Sequence, residues 1–242
     1  VYREGVDLSR DEFYDMLRKG VDVSTSQPSP TEVMDMWKEM LEEYEEIVYI
    51  PLSSGLSGSC MSAQAMANEE KFAGKVFVVD NGRVATPMHR SVLDAVEMVE
   101  KGYSGAEIKK ILEETREKMI IYIGLSTLEY LKKGGRISSM TALAANVLNI
   151  KPVMGADKGV IIKLDQARGI NKGLARMCAI AVKAAGDTAE KTAVIAHCNN
   201  HARAEQVRDE LLKLAPFKEI VITETAGVAT VYAGDGGIVL AI

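Results

Sequence analysis

Ile47-Val48-Tyr49-Ile50-Pro51-Leu52-Ser53-Ser54-Gly55-Leu56-Ser57-Gly58-Ser59 is the stretch that decides the fold. Its first six residues form a short, nearly continuous apolar run, as a strand covered on both faces requires. Hydroxyls and glycines follow, and Met61 to Asn68 then reads as a helix. A strand that passes through such a loop into a helix is a unit of an α/β fold. It is also an anion cradle. The first N–H groups of a helix lack internal partners and sit at the positive end of its dipole. Serine hydroxyls add donors without charge, and glycine lets a ligand approach the backbone.

The same alternation continues in both directions. Ser9…Glu12, Ser29…Glu32, Ser104…Glu107 and Ser126…Glu129 place a hydroxyl three residues before a glutamate, the capping-box spacing. Pro30 occupies the first helical position after Ser29, where its missing N–H costs nothing. Val33, Trp37, Met40, Leu41 and Tyr44 follow at helical spacing and predict a core-facing stripe. Further strands are expected at Val76–Val79, Ile120–Ile123, Ala193–Ala196 and Ile220–Ile222. Lys151–Met154 and Val160–Leu164 flank Asp157-Lys158-Gly159 as a hairpin. The pattern predicts an α/β protein with mainly parallel sheets, helices on both faces, and some antiparallel strands in its second half. The charged run Glu113 to Lys118 suggests two α/β domains, residues 1–117 and 118–242.

Composition narrows the function. A net charge of −5 argues against nucleic acid or an anionic membrane as the main partner. No apolar run is long enough to span a bilayer and no signal peptide opens the chain. Cys60, Cys178 and Cys198 show no paired spacing, which fits a reducing, cytoplasmic compartment. His197 and His201 are four residues apart, but His197 ends a strand and no third ligand lies nearby, so no metal is expected. Cys198 has no assignable base.

Five further segments carry polar chemistry. Thr25-Ser26-Gln27-Pro28-Ser29 is a second hydroxyl cluster, in which Ser29 caps a helix and Thr25 either fills a loop or faces the ligand of the Ser53–Ser59 loop. Gly134-Gly135-Arg136 ends a helix; a helix stop needs only one glycine, and two with an arginine also suit a phosphate. Arg168 follows the hairpin, and Asp80-Asn81-Gly82 is a strand-end turn, followed by a helix at Pro87 and Met88, that is placed to border a pocket. Ala226 to Gly237 is rich in small residues and contains Tyr232, whose phenol donates without charge. A serine at a strand–helix turn also raises an acyl-ester hydrolase or a phosphoryl-carrying enzyme. However, Gly55-Leu56-Ser57-Gly58-Ser59 is not Gly-x-Ser-x-Gly and no histidine–acid pair is assignable, so no catalytic residue is named. A lipid-responsive interaction or sensor module is the third class.

Taken together, these motifs resemble the DegV family of fatty-acid-binding proteins. The resemblance rests on Thr25-Ser26-Gln27-Pro28-Ser29, Ser53 to Ser59, Leu128 to Ile137 and Leu148-Asn149-Ile150-Lys151-Pro152, with Tyr2 to Asp7 similar to the family's Tyr-x-Asp-Gly-Val-Asp. It covers nearly the whole chain in order. It implies a two-domain DegV-like (EDD) fold with a long-chain fatty acid between the domains. It also implies a non-catalytic binding subunit that presents the carboxylate to a partner ATP-dependent fatty acid kinase, with no cofactor of its own. Thr25 and Ser57 match the hydroxyls that hold the carboxylate, with Ser53, Ser54, Gly58 and Tyr232 beside them. Arg136 and Arg168 match basic positions for phosphate handling or kinase docking. Two departures stand out. The family's His-x-Gly-Pro-Gly is here Tyr232-Ala233-Gly234-Asp235-Gly236, so tyrosine replaces the histidine. The family also begins with a further strand and an Asp-Ser loop that precede the matched region. The methionines, among them Met34, Met61, Met66, Met140 and Met154, suit an adaptable apolar tunnel or ordinary core filling.

Overall fold

A computed structural model describes residues 1–3, 5–116, 121–125, 127–136, 149–157, 159–225 and 227–242. Ser126, Met140, the 117–120 junction and the 137–148 part of the family motifs lie outside the described residues. The chain divides into two compact units. One comprises Val1–Thr25, Ile120–Asp157 and Ile161–Ile242; the other comprises Ser26–Met119 and Lys158–Val160. These bounds differ from a split at 117/118. The first helix, α1 (Arg10–Arg18), belongs with the C-terminal half, because Tyr14 Oη lies 3.3 Å from Thr230 Oγ1 and Arg10 pairs with Glu224 at 2.5 Å.

The Ser26–Met119 unit is built on β1 (Ile47–Tyr49) and β2 (Val76–Val78), which pair in parallel with Ile47 opposite Val76 and Tyr49 opposite Val78. The first strand is shorter than its apolar run, since Pro51 has no N–H to give a ladder. Strand periodicity divides the core between two faces. Ile47, Val76 and Val78 pack with Trp37, Cys60, Ala63 and Phe72 on the side of α2 (Pro30–Glu43) and α3 (Ser59–Ala67). Val48 and Val79 pack with Ala95, Ile108 and Leu112, from α4 (Ala85–Glu100) and α5 (Gly105–Glu114). Trp37 is fully buried and meets Tyr49 and Phe72 edge-on, with ring centroids 5.2 and 5.3 Å away. Of the expected α2 stripe, Val33 and Trp37 are buried and Leu41 packs against them. Met40 and Tyr44 are exposed instead, because the buried arc of α2 is narrower than the apolar pattern. The capping boxes at Ser9/Glu12 and Ser104/Glu107 form as read.

The other unit carries a six-stranded sheet in the order β5-β4-β3-β8-β6-β7. Its strands are β3 (Ile121–Gly124), β4 (Ile150–Asp157), β5 (Val160–Arg168), β6 (Thr192–His197), β7 (Glu219–Glu224) and β8 (Ile238–Ala241). The α/β class is observed, but this sheet departs from a mainly parallel one. The β3–β4, β3–β8 and β6–β8 pairings are antiparallel, and β6–β7 is parallel. Two of these antiparallel pairings come from β8, a strand absent from the sequence reading. It inserts between β3 and β6 and runs against both. Tyr122, Ile195, Ile238 and Leu240 share one face of the sheet and pack with Leu174, Met177, Val207 and Leu211. Those four come from α7 (Ile170–Ala185) and α8 (His201–Leu214). The short helices α6 (Glu129–Lys133) and α9 (Gly227–Ala233) pack against each other. Among the described residues, no helix is long and apolar enough to cross a membrane.

Candidate functional site

The six-stranded unit contributes a hydroxyl pair. Thr25 Oγ1 and Tyr232 Oη are hydrogen-bonded across 207 residues of sequence. Tyr232 is carried by α9, and one edge of its ring lies against Gly134, where a Cβ would overlap it. Gly135 has φ +70°, the left-handed conformation that ends the α6 turn. The two glycines therefore have separate physical reasons: one makes room for the phenol and the other turns the chain. Arg136 Nη1 then returns to the Gly134 carbonyl at 2.6 Å, and its guanidinium carbon stands 5.1 Å from the Tyr232 ring centroid. Cation and ring at this separation attract by about 0.5–1 kcal/mol at an exposed site. So Thr25, Tyr232 and Arg136 are brought together. Arg168, at the exposed end of β5, is not: no other described residue hydrogen-bonds or ion-pairs with it.

A Gly134→Ala substitution tests this packing. It should lower stability by about 1–3 kcal/mol through overpacking. It should also part Thr25 from Tyr232, so that Thr25→Val and Tyr232→Phe, coupled in a double-mutant cycle on the parent, become additive in its background.

The Ser26–Met119 unit contributes the serine loop, and here the four candidates separate. Ser53 is buried; its hydroxyl donates to the Gly159 carbonyl at 3.1 Å and accepts from the Gly55 N–H. Ser54 gives its proton to Asp80 Oδ2 at 2.5 Å. Both hydroxyl protons are engaged in holding the loop. Gly55 sits against the Gly159 carbonyl, where any Cβ would collide. Ser57 differs. Its Oγ lies 2.8 Å from Ser59 Oγ and accepts from the Ser59 N–H. The two hydroxyls share one hydrogen bond, which uses one proton, so one O–H of the pair remains to donate. Thr25 and Tyr232 have the same arithmetic. Gly58 is the N-cap of α3 and supplies no side-chain cap, leaving the helix start open. Ser59 was the member of this loop that the sequence reading did not single out; a second serine two residues on was the available signal.

Arg116 escaped the sequence reading as a site element, and Asp80 entered it only as part of a strand-end turn. Burial works to raise the Asp80 pKa, but hydrogen bonds from the Ser54 hydroxyl and N–H, the Arg116 charge and the Gly82 N–H outweigh it and hold it below the usual carboxylate value. Elsewhere, His197 Nδ1 accepts from the Asn200 N–H at 3.3 Å, and no group of metal-ligating side chains is gathered among the described residues. Cys198 is buried with its Sγ 3.2 Å from Thr225 Oγ1, and burial pushes its thiol pKa up. Among the described residues, no histidine or lysine bonds to Ser57.

Known proteins share this fold. A crystal structure of a DegV family protein from Ruminococcus gnavus, refined with vaccenic acid, superposes with a TM-score of 0.88 at 29% identity, covering 100% of this chain and 87% of that one. A structure concerning fatty acid binding of a DegV family protein from Thermus thermophilus gives a TM-score of 0.87 at 29% identity, covering 99% of this chain and 86% of that one. A DegV domain-containing protein of Deinococcus radiodurans is 32% identical over 244 residues, covering 100% of this chain and 86% of the relative. A family model described as "Uncharacterised protein, DegV family" matches residues 1–242. Since that match runs from the first residue to the last and the fold of the relatives is reproduced, the chain belongs to the DegV family.

Proposed function

We propose that this chain binds a long-chain fatty acid, and that the Thr25–Tyr232 and Ser57–Ser59 pairs donate to its carboxylate. The observation that carries the reading is the spare proton in each pair. Each pair by itself keeps one neutral O–H that can donate to a carboxylate oxygen. The aliphatic tail supplies most of the affinity, at about 0.8 kcal/mol per buried methylene. The headgroup then needs only enough donors to offset its desolvation. The fatty acids associated with the R. gnavus and T. thermophilus relatives support the same ligand class. Oleate titration followed by native mass spectrometry tests it: one acid retained per chain is expected, and no uptake by lipid-stripped protein overturns it.

The absence of a catalytic constellation in the serine loop favours a binding subunit whose ligand another protein modifies. A carboxylate held by hydroxyls, with no cation bonded to it, stays nucleophilic toward the γ-phosphate of ATP on a partner fatty acid kinase. Tyr232 takes the place of the family histidine as a donor. Arg136, stacked on that phenol, is assigned to the incoming phosphate or to kinase docking, and Arg168 to docking. Arg136→Ala should leave oleate affinity within about threefold, since the residue is assigned no bond to the carboxylate and loses one part-buried cation–π contact. It should abolish acyl-phosphate formation with kinase and ATP. Loss of oleate itself would move Arg136 into the headgroup site.

A further inference from the structure

We propose that Asp80, held by Arg116, is the positioning residue that sets the Ser53–Ser59 loop so that the Ser57–Ser59 pair faces the ligand. This rests on the reading of that pair as carboxylate donors.

The segment after β2 grips the loop at both of its first residues. Ser53 N–H donates to the Arg83 carbonyl at 3.1 Å, and Ser54 N–H donates to Asp80 Oδ1 at 3.3 Å. The Ser54 hydroxyl adds its bond to Oδ2. The next turn is built on that fixed start: Leu56 and Ser57 N–H groups both donate to the Ser53 carbonyl, at 2.9 and 3.0 Å. Ser57 is thereby delivered to the first residue of α3. Moving Ser54 moves Ser57, because the two are linked by one hydrogen-bonded turn.

Charge explains the arginine. An ionised carboxylate beside an anion-binding loop repels the anion. Arg116 Nη1 sits 3.2 Å from Asp80 Oδ2, the same oxygen that holds Ser54, and neutralises it. The fold makes room for this pair. Gly82 has φ +68°, and a Cβ there would come within 2.9 Å of Arg116 Nε. Glu113 Oε1 accepts from the Asp80 N–H at 3.1 Å, which fixes the backbone of Asp80 in turn. The carboxylate thus orients the loop, while the guanidinium removes the electrostatic penalty of having it there.

The test uses the full chain, oleate titration, and amide hydrogen exchange. Asp80→Ala should weaken oleate binding about tenfold and speed exchange in residues 53–59, with the α2 and α5 amides unchanged. Asp80→Asn keeps an acceptor for Ser54 and should preserve both protection and affinity within about threefold. Arg116→Gln leaves the carboxylate uncompensated and should weaken binding several-fold; Asp80→Asn in the same chain should restore it. Affinity within twofold and unchanged loop exchange in Asp80→Ala would overturn the proposal. So would faster exchange across the whole unit, or additive losses in the Asp80→Asn/Arg116→Gln pair. If the parent chain takes up no oleate, the carboxylate reading fails, and the exchange arm still decides whether Asp80 sets the loop.

Discussion

Replacing Ser57 and Ser59 together by alanine should weaken oleate binding about ten- to a hundredfold, while either substitution alone costs far less. The reason lies in the proton count of the pair. One O–H is consumed between the two oxygens at 2.8 Å, and the other is left over. Ser57→Ala removes one oxygen, and the Ser59 hydroxyl, relieved of its partner, becomes free to donate. Ser59→Ala frees the Ser57 hydroxyl in the same way. Only the double variant leaves no hydroxyl donor. A hydrogen bond to a charged group contributes about 1.5–3 kcal/mol, and each 1.4 kcal/mol is about a tenfold change in affinity. Helix α3 loses only the bond from its Ser59 N–H to Ser57 Oγ, since its N-cap residue Gly58 contributes no side-chain bond. Isothermal titration of the three variants with oleate checks the pattern. A full loss from Ser57→Ala alone would mean that the two serines cannot exchange roles. Parent-like binding by the double variant would remove the loop from the headgroup site.

How much of this was legible in the sequence follows from how local each determinant is. The β1, β2, β6 and β7 runs and the β4–β5 hairpin were readable because apolar composition and turn residues sit within a few positions of each other. The direction of strand pairing was not, because it depends on which distant strand arrives as neighbour. Ile238–Ala241 is a four-residue strand after a run of small residues, yet it lies between β3 and β6 and makes that part of the sheet antiparallel. The site shows the same divide. Hydroxyl-rich loops were visible, but their division of labour was not. Ser53 is committed to Gly159, 106 residues away, and Ser54 to Asp80, 26 residues away. The Thr25–Tyr232 contact spans 207 residues, and only the family resemblance set those two side by side in advance. Gly134-Gly135-Arg136 read as either a helix stop or a phosphate loop; the Tyr232 ring against Gly134 supplies a third reason for glycine that no local pattern contains.

Trp37→Ala should destabilise the Ser26–Met119 unit by about 3–5 kcal/mol, the usual cost of emptying a large aromatic site. The described sheet of this unit has two strands of three residues, too little by itself to hold a core. Its α2–α3 face depends instead on Trp37, which bridges Tyr49 on the strand side and Phe72 after α3. Trp37→Phe separates volume from chemistry. The indole Nε1 is buried, and no acceptor among the described residues reaches it. An unsatisfied buried N–H costs about 1–3 kcal/mol. Phenylalanine removes that donor and also loses part of the ring's contact area, so the two effects oppose each other and the variant should stay within about 1 kcal/mol of the parent. Urea unfolding followed by far-ultraviolet circular dichroism measures both variants. In the parent, Trp37 is the sole tryptophan, so its fluorescence reports this unit specifically. If Trp37→Phe costs as much as Trp37→Ala, the indole is held by its shape, and the orphaned donor carries little penalty. If Trp37→Phe is neutral while Trp37→Ala unfolds the unit ahead of the six-stranded sheet, the aromatic bridge is what keeps the serine loop on a folded scaffold.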